Sequence, residues 1–349
     1  MKRKYSFLFL SLAACVALVL SASKCSENSD LQQASQTETT TPETSPTDDG
    51  EKASVYFTAN ISPEGLVKVY KVLGVTPAGR VAVKISTGES ENSNHLRPAF
   101  ITDLVHEVGG TLVECNTAYG GNRSDSKSHR KAIAERGFEA VAPVDIMDEE
   151  GEMQIPVVDD SHIKYDIVGS HLQNYDFMVN LAHFKGHAMG GFGGVLKNQS
   201  IGVASTAGKL YIHSAGRSTT RWMSDDQDGF LESMAAAAQA VHNYFKQEGR
   251  DIIYINVMNN MSVDCDCDGN PAKPRLKDIG ILASTDPVAL DKACTDLVFT
   301  HVDENGNDAR PLQERINRQH GLHILEYAES IGLGTTKYEL IDIDKDGEI

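Results

Sequence analysis

The sequence predicts an α/β fold, in which a mostly parallel sheet is flanked by helices and the site lies at the carboxyl ends of the strands. From about Val55 onward, apolar runs rich in β-branched residues alternate with amphipathic segments. This alternation is typical of parallel sheets, because the crossover between two parallel strands usually runs through a helix. The chain has 349 residues, of which 40% are hydrophobic, and this is enough to bury a core.

Five apolar runs bounded by turn-forming or charged residues are predicted to be strands. They cover residues 80–85, 111–115, 175–181, 252–258 and 279–283. Helices are predicted after the first two of these strands, over residues 96–108 and 128–136.

The longest predicted helix covers residues 224–246, and Ser224 and Gln227 form a capping box at its start. Apolar residues at helical spacing give it one buried stripe, made of Phe230, Met234, Ala237, Val241 and Phe245.

Two further helices are predicted near the end of the chain. Asp286 followed by Pro287 indicates a helix start, and Leu290, Cys294 and Leu297 are expected to face the core. Residues 311–331 also have a helical pattern.

The N-terminus has the pattern of an export signal, predicted over residues 1–24. Three basic residues at positions 2–4 precede an apolar stretch over residues 5–20, and small residues follow at positions 21–23. We expect a lipoprotein anchored at Cys15 or Cys25 in the periplasm or at the cell surface. Free secretion after Ser23 and an uncleaved anchor are the alternatives.

A disordered tether is predicted over residues 25–52, because Ser, Thr, Glu, Gln, Pro and Asp dominate this stretch. The folded domain is expected over residues 53–341 and an acidic tail over residues 342–349. The net charge of -17 argues against nucleic acid and anionic membrane surfaces as partners, since both require a basic patch. Small anionic molecules and metal ions are the expected partners.

A glycine-rich segment over residues 180–217 is the first candidate site. Three histidines and three lysines fall within it, and six glycines lie between Gly186 and Gly202. Glycines let backbone N–H groups approach a ligand, and imidazole and ammonium groups suit a metal or an anion. The alternative is a flexible loop with lysines facing solvent. The candidate residues are His183, Lys185, His187, Gly193, Gly194, Lys197, Asn198, Lys209 and His213.

A second polar group, at residues 116–123, directly follows the predicted strand that ends at Cys115. Arg123 can clamp a carboxylate or phosphate with two hydrogen bonds, and Asn116 and Tyr119 can act as neutral donors. With Lys185 and His183, these residues form the predicted binding set for a substrate. A plain surface turn is the alternative.

Residues 264–269 read Asp-Cys-Asp-Cys-Asp-Gly, the first half of a calcium loop, but Arg275 stands where such a loop needs a bidentate Glu. Two thiolates suit a transition metal such as zinc or iron better, so Cys265 and Cys267 are predicted metal ligands. They are too close in sequence for an easy mutual bridge, whereas a disulfide from Cys115 to one of them is an open alternative.

These motifs resemble the domain-of-unknown-function 362 family, a group of uncharacterised iron–sulfur-centre proteins, over about residues 55–340. Typical members carry a ferredoxin-like insertion with two cysteine quartets soon after the position of His213, and this chain has no cysteine there. An intact 4Fe-4S cluster is therefore not expected. The matching segments are Asn116-Thr-x-Tyr-x-Gly-x-Arg123, His183-Phe-Lys-Gly-His187, Gly191-Phe-Gly-Gly-x-x-Lys-Asn198, Gly208-Lys209 with His213, Cys265-Asp-Cys267, and residues 278–291.

A more distant resemblance is to the nickel-pincer lactate racemases, on the spacing of His187, Lys197 and His213. The resemblance implies that His187 is a catalytic acid/base, that Lys197 carries a pyridinium-derived cofactor, and that His213 ligates nickel. A second acid/base histidine has no clear counterpart, and His129 is the nearest candidate.

Three functions follow from these patterns. The first is a metal- or cofactor-binding protein that acts on, or senses, a small anionic ligand. The second is an isomerase of a hydroxy acid, similar to lactate racemase. The third is a lipid-anchored binding protein without turnover. Iron, nickel and zinc all fit the expected donors.

Overall fold

The computed structural model describes residues 52–302 and 307–345. The predicted signal peptide, both candidate lipidation cysteines and nearly all of the tether lie outside these residues, as do residues 346–349. No helix in the described ranges is long and apolar enough to cross a membrane.

Strands of the described residues form one large sheet and two small ones. The strands are β1 (Ala53–Thr58), β2 (Val81–Lys84), β3 (Thr111–Glu114), β4 (Val144–Ile146), β5 (Glu152–Ile155), β6 (Asp166–Gly169), β7 (Phe177–His183), β8 (Lys185–His187), β9 (Gly191–Gly193), β10 (Asp251–Met258), β11 (Gly280–Ser284) and β12 (Tyr338–Asp342).

Helices join these strands. They are α1 (Pro63–Lys71), α2 (Pro98–Glu107), α3 (Ser126–Glu135), α4 (Val195–Gln199), α5 (Thr206–His213), α6 (Gln227–Phe245), α7 (Pro287–Phe299), α8 (Arg310–Arg318) and α9 (His323–Ser330).

The large sheet has the strand order β12-β1-β11-β10-β7-β2-β3-β4. Neighbours from β10 to β4 all run parallel, and β12 runs parallel to β1. Only β11 runs antiparallel to the strands beside it in this sheet. The predicted α/β fold with a mostly parallel sheet is confirmed, and each of the five predicted strands lies within two residues of its expected position.

Helices cover both faces of the sheet, and the side chains of β10 show why. Ile252 and Tyr254 pack into the core on the side of α4–α9, whereas Ile253 and Ile255 pack into the core under α1–α3. Successive residues of a strand point to opposite faces, so an uninterrupted apolar strand can serve two cores.

The start of α6 differs from the predicted capping box. The helix begins at Gln227, and the Asp226 carboxylate accepts a hydrogen bond from the Gly229 N–H at 3.0 Å. Gln227 instead donates its side-chain amide to the backbone carbonyls of Met189 and Gln319. The predicted stripe of this helix is confirmed, because all five of its apolar residues are buried.

The predicted C-terminal helix is wrong as a single element, because two helices, α8 and α9, occupy residues 310–330. His320 has a φ of 50° between them, a left-handed conformation that ends a helix. Gly321 then packs against Gly191, where an added Cβ would lie 2.8 Å from the Gly321 Cα. The break therefore lets the chain approach the β8–β9 hairpin closely.

The helix start at Asp286 is confirmed, since this carboxylate accepts hydrogen bonds from the N–H groups of Val288 and Ala289 at 2.9 Å. Cys294 is fully buried in the core, as predicted. The predicted acidic tail overlaps β12, whose last residue is Asp342, and Asp344 accepts hydrogen bonds from the Thr58 hydroxyl at 2.8 and 2.9 Å.

Candidate functional site

The carboxyl ends of β2, β3 and β7 meet the loop after β10 around a cavity of about 580 Å³. Adjacent parallel strands end at the same edge of a sheet, and this edge is where α/β proteins place ligands. Twelve of the predicted site residues line this cavity: Tyr119, Arg123, Lys185, His187, Gly193, Gly194, Lys197, Asn198, Lys209, His213, Cys265 and Cys267. Their predicted chemical roles stay predictions.

The short helix α4 carries Lys197 and Asn198 and is held from its N-terminal end. Asp291, from α7, accepts hydrogen bonds from the N–H groups of Val195 and Leu196, both at 3.0 Å. Gly194 precedes the helix, and a Cβ at this position would lie 2.1 Å from the Asp291 Oδ1. The carboxylate therefore needs a glycine beside it to reach the first N–H groups of the helix.

The loop from Cys265 to Cys267 is anchored by the residue between the two cysteines. Asp266 is 1% exposed, accepts a hydrogen bond from His183 Nδ1 at 2.8 Å, and forms an ion pair with Lys185 Nζ at 2.8 Å. Burial alone would raise the pKa of Asp266, but the charges of His183 and Lys185 outweigh it and hold the pKa far below its usual range. Asp266 is thereby held in the protein interior while both cysteines line the cavity.

The potential ligand atoms of His187, Cys265 and Cys267 all lie within 4.8 Å of one another. Lys197 Nζ lies 3.7 Å from Cys265 Sγ. A hydrogen bond from Cys267 lowers the pKa of Cys265 well below its usual value, and Lys197 lowers it further against the effect of burial. The same pairing raises the pKa of Cys267. One thiolate is therefore stabilised beside one thiol.

The His187 ring is held by the turn that follows it. Its Nδ1 accepts hydrogen bonds from the N–H groups of Gly190 at 2.8 Å and Met189 at 3.3 Å. Burial, with the charge of Lys197, lowers the pKa of His187 well below its usual value. The ring is therefore neutral at pH 7 and, because Nδ1 is an acceptor, carries its proton on Nε2.

His213 lines the cavity but is not part of the His–Cys group. Its Nδ1 donates to the Lys209 carbonyl at 2.7 Å, and its ring packs between Trp222 and Phe230 at centroid distances of 4.5 and 4.6 Å. Burial lowers the pKa of His213 to about 4. The structure brings His187, rather than His213, together with Cys265 and Cys267.

Arg123, the predicted clamp for a ligand, already pairs with two carboxylates of the protein. Its Nε and Nη1 pair with Glu89 at 3.2 Å and Glu114 at 3.0 Å, and its Nη2 donates to the Tyr119 hydroxyl at 3.3 Å. Burial disfavours the charge, yet these partners raise the pKa of Arg123 above its ordinary value. This guanidinium organises the cavity wall.

Asn116 and His183 are not among the residues that line the cavity, and both are bonded to neighbouring protein groups. Asn116 donates to Ser126 Oγ at 2.9 Å, and His129, the candidate second acid/base, bonds to Asn116 Oδ1 and to Glu114. His183 is bound between Asp266 and the Asn259 carbonyl. Both predicted substrate residues thus support their neighbours.

The calcium half-motif does not form one site, because its carboxylates have separate partners. Asp264 accepts a hydrogen bond from the Ala272 N–H, Asp266 is buried with His183 and Lys185, and Asp268 accepts one from the Asn270 N–H.

The described cysteines are all free. Cys115 Sγ donates to the Val203 carbonyl at 3.2 Å, and burial raises the pKa of this thiol to about 12. Of the described cysteines, only Cys265 and Cys267 belong to the His–Cys group, so these residues do not fit a cluster held by four thiolates.

Sequence reasoning missed Lys84 and Glu114, which also line the cavity. Lys84 is 1% exposed and donates to the Ile85 carbonyl at 2.6 Å and to Asn198 Oδ1 at 3.2 Å. Each is a charged residue at the end of an apolar strand, and a buried charge requires a partner or a ligand. That signal is visible in the sequence.

Comparison with known proteins identifies the family. The sequence profile of the domain of unknown function DUF362 matches residues 81–296. No curated protein matches the chain. A crystal structure of a Thermotoga maritima protein is similar, with a TM-score of 0.41 and 14% identity, over 70% of this chain and 59% of that one.

The lactate racemase apoprotein from Thermoanaerobacterium thermosaccharolyticum is similar with a TM-score of 0.39 and 12% identity, over 70% of this chain and 57% of that one. This chain thus spans less than two thirds of either solved structure, and both likenesses are remote. The profile match extends from the first strand of the cavity to α7 and includes the whole lining described above. The chain belongs to the DUF362 family.

Proposed function

We propose that this protein binds a transition-metal ion through Cys265, Cys267 and His187, and that the ion faces a cavity for a small anionic ligand. The observation that supports it is the grouping of three donor atoms within 4.8 Å at the cavity wall. Two sulfur donors and one imidazole suit zinc or another transition metal, whereas calcium and magnesium prefer oxygen. Three protein ligands would leave the fourth position of a tetrahedral ion open to the cavity.

Metal ligation by the two cysteines is consistent with the loop, because Asp266, which lies between them, is anchored by His183 and Lys185. His187 fits on one condition. Coordination through Nε2 requires the proton to sit on Nδ1, and Nδ1 now accepts the N–H groups of Met189 and Gly190. Metal binding by His187 would therefore need this turn to move, whereas a metal held by the two thiolates alone would leave the Nε2–H free to donate to an anion.

Positive charges around the cavity support an anionic ligand. Lys197 lies beside the candidate metal site, and Lys84, Lys185 and Lys209 also contribute to the lining. Ammonium groups in a largely buried pocket attract an anion more strongly than they would in water. A metal with an open position and a nearby lysine would hold such a ligand at two points.

Metal binding can be tested by equilibrium dialysis of the metal-free protein against Zn²⁺, followed by elemental analysis, and by the absorption bands of the Co²⁺ form. We expect one ion per chain, and loss of at least nine tenths of it in C265S and C267S. Cys115→Ser is the matched control, because Cys115 lines the same cavity outside the group. Unchanged metal content in both cysteine variants would refute the proposal.

His187→Ala separates the two roles of the imidazole. A lower Zn²⁺ affinity would make His187 a ligand of the metal. Unchanged Zn²⁺ affinity with weaker binding of inorganic phosphate would make it a hydrogen-bond donor to the anion.

A second candidate, an isomerase of a hydroxy acid, is favoured by the presence of His187, Lys197 and His213 in one cavity. It requires a cofactor attached to Lys197. Intact mass of the protein from its native host tests this candidate: added mass that is absent in Lys197→Ala supports the isomerase, and an unmodified mass in the native protein argues for a binding function.

We also propose that residues 1–24 direct export and that a lipid on Cys15 or Cys25 anchors the protein. Metabolic labelling with a fatty acid, compared between C15A and C25A, would identify the acylated cysteine. Label in neither protein together with recovery in the medium would point to free secretion after Ser23.

A further inference from the structure

Two buried ammonium groups in the cavity form no ion pair with a carboxylate of the described residues. Lys84 is 1% exposed and Lys209 is 6% exposed, and both line the cavity. Within residues 52–302 and 307–345, neither has a carboxylate oxygen within 4 Å, whereas Lys185 is paired with Asp266. A buried charge without a partner is costly, so such a pair needs a reason to persist.

The hydrogen bonds of these two groups are also incomplete. An ammonium group has three N–H donors. Lys84 Nζ uses two of them, on the Ile85 carbonyl and Asn198 Oδ1, and Lys209 Nζ uses one, on the Ala204 carbonyl. The described residues therefore leave three N–H donors of the pair without an acceptor, and these can bind the oxygens of an anion.

Two carboxylates of the cavity wall, Glu114 and Glu89, are committed elsewhere. Glu114 is the negative group that acts most strongly on Lys84, but it already pairs with Arg123 at 3.0 Å and with His129 at 3.0 Å. Glu89, the other carboxylate of this wall, pairs with the same Arg123. The charge of Lys209 adds to the effect of burial in lowering the pKa of Lys84 to about 8.

A glycine allows the backbone to pack closely against the ammonium group of Lys84. A Cβ at Gly202 would lie 2.8 Å from Lys84 Nζ and 2.2 Å from the Asn198 carbonyl oxygen. Any larger residue would therefore displace the ammonium group or the end of α4. Together with the buried donors, this indicates a preformed pocket rather than lysines that happen to be close.

We propose that Lys84 and Lys209 form the seat for the oxyanion head, carboxylate or phosphate, of the small anionic ligand, on the side of the cavity formed by β2 and α5. This inference rests on the proposed function for the contacts of the rest of the ligand with the metal site. The binding of the oxyanion by the two lysines does not depend on it. The seat is distinct from the His–Cys group, because none of its donors is a candidate metal ligand. The two lysines would then recognise the charged group of the ligand, and the residues near the thiolates would recognise the other end of the ligand.

The test is isothermal titration calorimetry of the full chain, metal-free and Zn²⁺-loaded, with sodium acetate and with inorganic phosphate as probes and chloride as the constant background anion. We expect K84M and K209M each to weaken binding of the preferred oxyanion by roughly tenfold to a hundredfold, since each removes a charged hydrogen-bond donor. Lys164→Met is the matched control, because the Lys164 side chain is 59% exposed and does not line the cavity.

Which probe binds better distinguishes the two sources of the head group. If acetate binds and both lysines are required, the charged group of the ligand is a carboxylate. If phosphate binds and both lysines are required, it is a phosphate. Equal affinity in the native protein, K84M and K209M, or no binding of either probe, would overturn the seat. Zn²⁺ content measured on the same samples reports the metal site separately, so failure of the seat and failure of the metal proposal have different signatures. Thermal unfolding of each variant confirms that it is folded during the titration.

Discussion

Replacing Lys84 by Met is expected to stabilise the protein while it weakens anion binding. The side chain is 1% exposed, and its ammonium group donates to the Ile85 carbonyl and Asn198 Oδ1 rather than to a carboxylate. Met has a similar length and no charge, so it can fill the same space without the cost of burying an ammonium group. A residue that is retained although it lowers the stability of the protein is typical of a functional site.

The pKa of Lys84 sets the magnitude. Burial lowers this pKa from 10.5 to about 8, which corresponds to a cost of roughly 3 kcal/mol for the charged form. Met leaves the Ile85 carbonyl and Asn198 Oδ1 without their donor, at about 1 kcal/mol each. The net expectation is a gain of about 1 to 2 kcal/mol in the free energy of unfolding at pH 7.

The sign of the pH dependence follows from linkage. Because the folded-state pKa lies below the unfolded one, the native protein bears the full cost below about pH 8 and loses it as the pH rises from about 8 to 10.5. The groups that face Lys84 electrostatically are Glu114 and Cys115, which raise its pKa, and Lys209 and Arg123, which lower it. We therefore expect the advantage of K84M to shrink between pH 7 and pH 10.

Urea unfolding of the native protein, K84M and the exposed control K164M at pH 7 and pH 10 measures these differences. Groups that titrate alike in all three proteins cancel in the comparison. A K84M protein that is less stable at pH 7, or whose advantage stays constant up to pH 10, would refute the argument that Lys84 is held at a cost.

Three further predictions concern other parts of the site. Asp291→Ala should lower the free energy of unfolding by about 2 kcal/mol or more, because α4 loses the carboxylate bound to its first N–H groups; unchanged urea midpoints would contradict this role. Asp266→Asn should weaken Zn²⁺ binding by about tenfold to a hundredfold, because the metal ligands lose a group that orients them. Native Zn²⁺ affinity in the folded variant would exclude this role of Asp266. Trp222, the single tryptophan, packs against His213 with the two rings tilted, and burial lowers the pKa of His213 to about 4. Quenching of the tryptophan fluorescence by the protonated imidazole should therefore begin only as the pH falls toward 4. A quenching midpoint near pH 6.5 would be inconsistent with the buried ring.

Local patterns were sufficient for the five predicted strands of the large sheet and for helices α2, α3, α6 and α7. Strand β10 is apolar at most of its residues and is buried on both faces, and helix α6 buries the apolar stripe that its sequence indicates. The start of α7 was predictable because Asp286 accepts hydrogen bonds from the N–H groups two and three residues after it. These features depend on residues close in sequence, so the sequence contains their full cause.

Elements whose shape depends on distant contacts were missed or mistaken. Helix α4 has five residues, and its first N–H groups are satisfied by Asp291, about 95 positions away. The break between α8 and α9 accommodates the glycine turn next to the β8–β9 hairpin. Neither contact can be derived from helical periodicity, because the partner lies on another element.

The candidate site shows the same division. The sequence by itself determined that polar residues follow the apolar strands, and therefore that a site would lie at the carboxyl ends of the strands. It did not place the two cysteines beside His187. The tertiary structure alone decided which charges are left for a ligand: Arg123 is neutralised by Glu89 and Glu114, His213 is enclosed by aromatic rings, and Lys84 is buried without a counter-ion. The physical reason is that strand order sets the common edge of the sheet, whereas the partner of each buried charge depends on distances between loops that are far apart in the chain.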